Sequence, residues 1–238
     1  MLETIVQLLL YSLPPALVMA AMGIVGVSIR IGPKWNSAIL HFAGGVVIAV
    51  VGVELIPDIL EQHNATATCI GFALGALAML AIRFLLPSPD SPGGGLPKSL
   101  LMGTGVDLLI DGLIIGIGLA AGARQGLLIS MALSVEAVSL GLATSTTLGK
   151  RGLSRGLAIS LTAGLGSLFV VGAIVGGLPL RGLSGPWLDG VLAFGTAALL
   201  FLAAEELISE AHESTPDTPW LTGSFLFGFL VILLFDLL

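Results

Sequence analysis

Eight apolar runs of about 20 residues, joined by connections too short to fold by themselves, leave this chain one general architecture. The runs lie near residues 4–28, 36–60, 67–86, 99–122, 125–148, 155–177, 187–211 and 219–238. Without water, each peptide group must find its hydrogen-bond partner inside its own segment, so runs of this length cross a bilayer as helices. The expectation is an all-α membrane protein, one transmembrane domain over residues 1–238. Charged residues make up 10% of the chain, against about a quarter in soluble domains.

The details of the runs add smaller expectations. Pro14-Pro15 interrupts the first span and should kink it. Of the connections, only PSPDSPGGGLPK has the composition of a flexible linker. Glu3 stands where a signal peptide carries positive charge, so no cleaved leader is expected. Cys69, the single cysteine, lies in an apolar run and reads as a small core residue. No basic patch with interleaved aromatics is present, which excludes nucleic acid as a partner.

Orientation follows from nine basic residues. Arg30, Lys34, Arg83, Lys98, Lys150, Arg151 and Arg155 fall on one side of an eight-span chain, Arg124 and Arg181 on the other. By the positive-inside rule the first side is cytoplasmic and both termini lie outside. The protein is then a multi-pass integral membrane protein, of the inner membrane if its source is bacterial.

Shifting the chain by 152 residues places Glu54-Leu55-Ile56-Pro57-Asp58 on Glu206-Leu207-Ile208-Ser209-Glu210, Phe42 on Phe194, and Gly71 on Gly223. The same shift carries spans one to three onto spans six to eight. Five spans separate the two starts, so the second triplet runs in the opposite direction. The pattern expected is a 3+2+3 inverted repeat, about 1–86 and 155–238 around a central pair at 99–148, with any site near the midplane.

The central pair carries the chemistry. Asp107 and Asp111, four residues apart, share one face of the fourth span, and Glu136 lies in the middle of the fifth. No Lys or Arg sits mid-span to neutralise them. Three ionised acids at that depth would cost roughly 8–10 kcal/mol on insertion scales. Either they are protonated and hydrogen-bond between helices, or a cation neutralises them, or both alternate. Glu54 and Asp58 share a face near the outer end of span two, with Glu61 beyond; Glu206 and Glu210, beside Glu205, do so near the inner end of span seven. Acids outside, midway and inside are what a cation path needs.

Small-xxx-small pairs at Gly71/Gly75, Gly112/Gly116, Gly118/Gly122 and Gly172/Gly176 predict close helix crossings. His41, His63 and His212 fall at span ends or in loops, and Trp35, Trp187 and Trp220 at span boundaries, where interfacial anchors sit.

At these residues the chain resembles the ZIP (Zrt-, Irt-like protein) family of divalent-metal permeases over nearly its whole length. HFAGGVVIAVVGVELIPDI is similar to the family's second helix and AAEELISEAH to its seventh. The family's fourth helix carries His-Asn-x-Pro-Glu-Gly; here Asp107-Leu108-Leu109-Ile110-Asp111-Gly112 stands there, with Asp107 at the histidine and Asp111 at the glutamate. The fifth carries His-Glu-x-Pro-Glu-Gly, and Glu136-Ala137-Val138-Ser139-Leu140-Gly141 fits it with Glu136 at the histidine. Both family glutamates are lost there, to Ala137 and Leu140. The metal-binding histidines and the helix-bending prolines are gone, and Leu108 removes an asparagine of the family's second metal site. The linker PSPDSPGGGLPK lacks the histidines that many members carry.

The resemblance implies a divalent-cation permease with metal ligands Asp107, Asp111 and Glu136 and a path past Glu54, Asp58, Glu205, Glu206 and Glu210. No cofactor is tightly bound; the cation is cargo, with the bilayer as surroundings. Carboxylates suit Mg²⁺, Mn²⁺ or Ca²⁺ better than imidazole does, without excluding zinc. A homodimer is compatible with the family, although nothing in the sequence shows one. The lost histidines motivate an alternative, the same fold without metal transport, serving as sensor, scaffold or carrier of another substrate. Gly103-Thr104-Gly105-Val106-Asp107 bears a surface likeness to the Gly-x-Gly-Asp of intramembrane aspartyl proteases. The spacing is off by one and the partner Tyr-Asp is absent, so the chain is not expected to be an enzyme.

Overall fold

The computed structural model describes residues 2–29, 32–85, 96–214 and 218–237. Among these it is all helix, and eight helices are long and apolar enough to cross a membrane. They are α1 (Leu2–Ser28), α2 (Lys34–Gln62), α3 (Ala65–Leu85), α4 (Lys98–Ala121), α5 (Ala123–Lys150), α6 (Arg155–Gly177), α7 (Pro186–His212) and α8 (Pro219–Leu237). Each matches an expected span to within a few residues. Most of the linker PSPDSPGGGLPK lies outside the described residues, as does part of HESTPDTP.

The helices pack as two four-helix groups. In the first, α1 lies on α5 and α6, and α4 lies on α6 and α5; in the second, α8 lies on α2, and α3 on α7, with α2 and α7 in contact. The groups meet where α2 crosses α5 and α4 crosses α7. Glycine sets the closest of these approaches. A Cβ on Gly112 would lie 2.2 Å from the Phe169 carbonyl oxygen, and one on Gly172 would lie 2.1 Å from that of Leu109. At α3–α7, a Cβ on Gly71 would lie 2.0 Å from the Gly190 carbonyl oxygen. Backbones in direct contact gain packing that lipid cannot supply.

Pro14 and Pro15 sit inside one continuous helix, α1. A proline has no N–H to offer the carbonyl four residues back. For Pro15 that carbonyl belongs to Tyr11, and Ser130 Oγ of α5 donates to it at 2.5 Å. Farther along the same contact, Thr146 Oγ1 donates to Gly26 O at 3.3 Å. The α5 hydroxyls thus take up α1 carbonyls that have no water to turn to.

Two helices widen locally into π turns, at Val51–Leu55 in α2 and Leu202–Ile208 in α7. Each turn carries acids, Glu54 in one and Glu205 and Glu206 in the other. Such bulges turn side chains off the regular helical face and recur at functional sites.

Cys69 corrects the sequence reading: it is exposed, not a small core residue. The physical reason is that α3 buries only a narrow stripe, Gly71, Gly75 and Met79. Apolarity in a membrane helix serves a lipid-facing surface as well as a core, so it does not distinguish them. Trp35, Trp187 and Trp220 are exposed in the first turns of α2, α7 and α8, as interfacial anchors would be.

Candidate metal centre

The site forms where α4 and α5 face the second helix group. Asp107 and Asp111, one turn apart on α4, both turn inward, because i and i+4 share a face. Asp111 is 0% exposed and Glu136, on α5, is 1% exposed; Asp107 is half-buried. One carboxylate oxygen from each of the three lies within 4.8 Å of the others, so they converge as the sequence spacing implied.

Their partners are few. Asp111 Oδ1 and Oδ2 and Glu136 Oε2 are buried with no hydrogen-bond partner. Buried polar atoms are paired in the great majority of cases, and buried charges are held by a counter-charge or a metal. The ion pairs of Arg83 with Glu205 and of Arg124 with Glu54 and Asp236 do not reach the trio. Asp107 and Glu206, the latter in the π turn of α7, line one cavity together.

Two polar cavities lead to the trio from the end of the bundle that carries Arg83. One, of about 360 Å³, lies between α3, α4 and α7 and is lined by Arg83, Thr104, Asp107, Glu205 and Glu206. The other, of about 330 Å³, lies between α2, α5 and α7 and is lined by Glu136, Ser139, Glu205, Glu206 and Glu210. Glu206 borders both. Asp111 lines neither. Arg83 pairs with Glu205, both largely exposed and both within the second helix group.

At the opposite end, polar ties join the two helix groups. Arg124, at the start of α5, places Nε 3.4 Å from Glu54 Oε2 on α2 and pairs through Nη2 with Asp236 at the end of α8. Its neighbour Gln125 donates from Nε2 to Asp58 Oδ2 at 2.6 Å. Glu61 is exposed and separate from this cluster, its carbonyl accepting from His63 Nδ1. Every tie runs from the first helix group to the second.

The candidate residues therefore fall into three places: Asp107, Asp111 and Glu136 together at mid-helix, Glu54 and Asp58 at the tied end, and Glu205, Glu206 and Glu210 around the cavities. As site residues the sequence reading missed Arg124, which it used for orientation, Gln125, which it took for the start of a span, and Asp236 near the end of α8. Arg124's isolation from the other basic residues was the available signal. It also missed Asp189, 2% exposed near the start of α7 with Oδ1 unpartnered. His41, read as interfacial, is buried against His212.

No family model matches this sequence, and no curated protein matches it.

Proposed function

We propose that this protein is a divalent-cation permease of ZIP type, with Asp107, Asp111 and Glu136 as the midplane cation site. The observation that carries the reading is the set of convergent buried carboxylates whose oxygens on Asp111 and Glu136 have no partner. A cation of charge two offsets the repulsion among them and supplies the bonds those oxygens lack. An all-oxygen donor set favours Mg²⁺ or Mn²⁺ over Zn²⁺, while leaving zinc able to bind.

In this reading the helices form a 3+2+3 inverted repeat. Exchanging α1 with α6, α2 with α7, α3 with α8 and α4 with α5 turns α1–α5 into α6–α4 and α2–α8 into α7–α3, and returns α1–α6 to itself. The 152-residue offset also carries the π turn Val51–Leu55 into that of Leu202–Ile208. Both features support two related halves running in opposite directions. With both termini outside, the tied Arg124 end faces outward and the two cavities face the cytoplasm. An ion passing Glu54 and Asp58 requires Arg124 to let go. It then rests on the trio and leaves past Glu206, Glu205 and Glu210 as the helix groups shift. Protons can displace it, because carboxylate ligands must be deprotonated to bind.

The test is uptake into proteoliposomes with Mn²⁺, Mg²⁺ and Zn²⁺ in competition. Asp111→Asn abolishes uptake while leaving the helical signal and melting temperature in place. Parental uptake by that variant overturns the central site, and a clear preference for Zn²⁺ overturns the harder-ion assignment.

One observation favours the alternative, a protein of this fold that no longer transports metal and acts as sensor or scaffold. The positions that match the family's metal-binding histidines hold Asp107 and Glu136 instead. Anomalous scattering after metal soaking separates the two: the permease shows an ion at the trio, the scaffold none.

A further inference from the structure

Two histidines stand together at the Arg83 end, outside the carboxylate trio. His41, on α2, and His212, at the end of α7, have ring centroids 5.1 Å apart with planes tilted by 53°. His41 is buried and His212 exposed. They belong to different helices, and the helices are fixed to each other beside them. Ser37 Oγ, one turn before His41, donates to the Ala211 carbonyl oxygen at 2.8 Å, adjacent to His212.

Each ring is held in the same way. His41 Nδ1 lies 2.8 Å from the Ser37 carbonyl oxygen, and His212 Nδ1 lies 2.6 Å from that of Ile208. A carbonyl only accepts, so each Nδ1 carries a hydrogen, and Nε2 is the nitrogen that would ligate a metal. A metal-binding histidine commonly has this arrangement: the far nitrogen donates to a carbonyl, fixing tautomer and ring orientation. The spacing fits as well. Two imidazole nitrogens about 2.0–2.1 Å from one tetrahedral ion put the ring centroids about 5 Å apart.

We propose that His41 and His212 form a second metal site, a two-nitrogen site for borderline divalent ions such as Zn²⁺, Cu²⁺ or Ni²⁺, with solvent completing the shell. Imidazole selects these ions where carboxylates select harder ones, so the two sites differ in the cation each prefers. Two protein ligands hold an ion exchangeably, and the exposed ring gives it access from the cavity end. The site stands whether or not the trio transports.

The experiment uses the purified full-length protein in detergent, without a histidine tag, and Cu²⁺ as the probe. Electron paramagnetic resonance of the parent shows hyperfine coupling to two imidazole nitrogens. His212→Ala, at an exposed position that folding tolerates, reduces this to one nitrogen or none and weakens Zn²⁺ binding in calorimetry about tenfold or more. His63→Ala and Asp111→Asn leave the two-nitrogen signal intact. Absence of nitrogen coupling in the parent overturns the proposal, as does a two-nitrogen signal that survives His212→Ala. Loss of coupling on His63→Ala assigns the nitrogen elsewhere and also overturns it.

Discussion

The two ends of this helix bundle each carry an arginine among acids, and the two arginines are placed differently. Arg124 projects from the first helix group onto Glu54 and Asp236 of the second, with Gln125 beside it on Asp58. Arg83 pairs with Glu205 inside the second group. A cation that bridges two bodies ties them; one that pairs within a body leaves the seam alone. The tied end buries Glu54, whereas cavities at the other end reach Asp107 and Glu136. What ties one side is thus the position of a charge relative to the seam, not the number of charges.

The largest expected effect lies between the two ends. Asp111→Asn removes one carboxylate from the buried trio and, on the proposed permease reading, should eliminate ion uptake, measured as accumulation in proteoliposomes. If ions still cross at the parental rate, neither end leads to that residue. Next comes packing within the first group. Gly172→Ala forces a methyl against the α4 backbone and should destabilise the protein by about 1–3 kcal/mol, read as a lowered melting temperature in detergent. An unchanged melting point would mean that α4 and α6 separate easily, and the group is then no rigid body.

Arg124→Gln tests the tie itself. It leaves buried Glu54 without its cation, and amide hydrogen exchange across Val51–Leu55 should speed up by as much as about tenfold, equivalent to ~1.4 kcal/mol. The smallest effect is reserved for Arg83→Gln. An exposed ion pair contributes about 0–1 kcal/mol, so melting and exchange at the Arg124 end should stay near parental values. Were Arg83→Gln to loosen the Val51–Leu55 turn as much as Arg124→Gln does, the distinction between bridging and internal pairs would collapse.

Much of this arrangement was legible one helix at a time. The eight spans follow from length and apolarity, and the inward face of Asp107 and Asp111 follows from four-residue spacing. Glu136 could be set at the same depth because the fourth and fifth spans are joined by a tight turn, read at Ala123-Arg124 and found in the structure at Gly122. Other features were not legible because they depend on which helices touch. Arg124 reads as a loop residue until α2 and α8 are known to flank it. His41 and His212 lie 171 positions apart in the chain and meet only because α2 packs on the end of α7. Cys69 went astray because lipid and core both accept an apolar side chain.

The amino-acid sequence by itself determined the helices and put acids at mid-span, since backbone hydrogen bonding in lipid and the 3.6-residue period act within a single segment. Only the tertiary structure decided which acids found a partner. Pairing a charge requires a particular neighbour within a few ångströms, and that neighbour is chosen by how closely the glycine faces let distant helices approach.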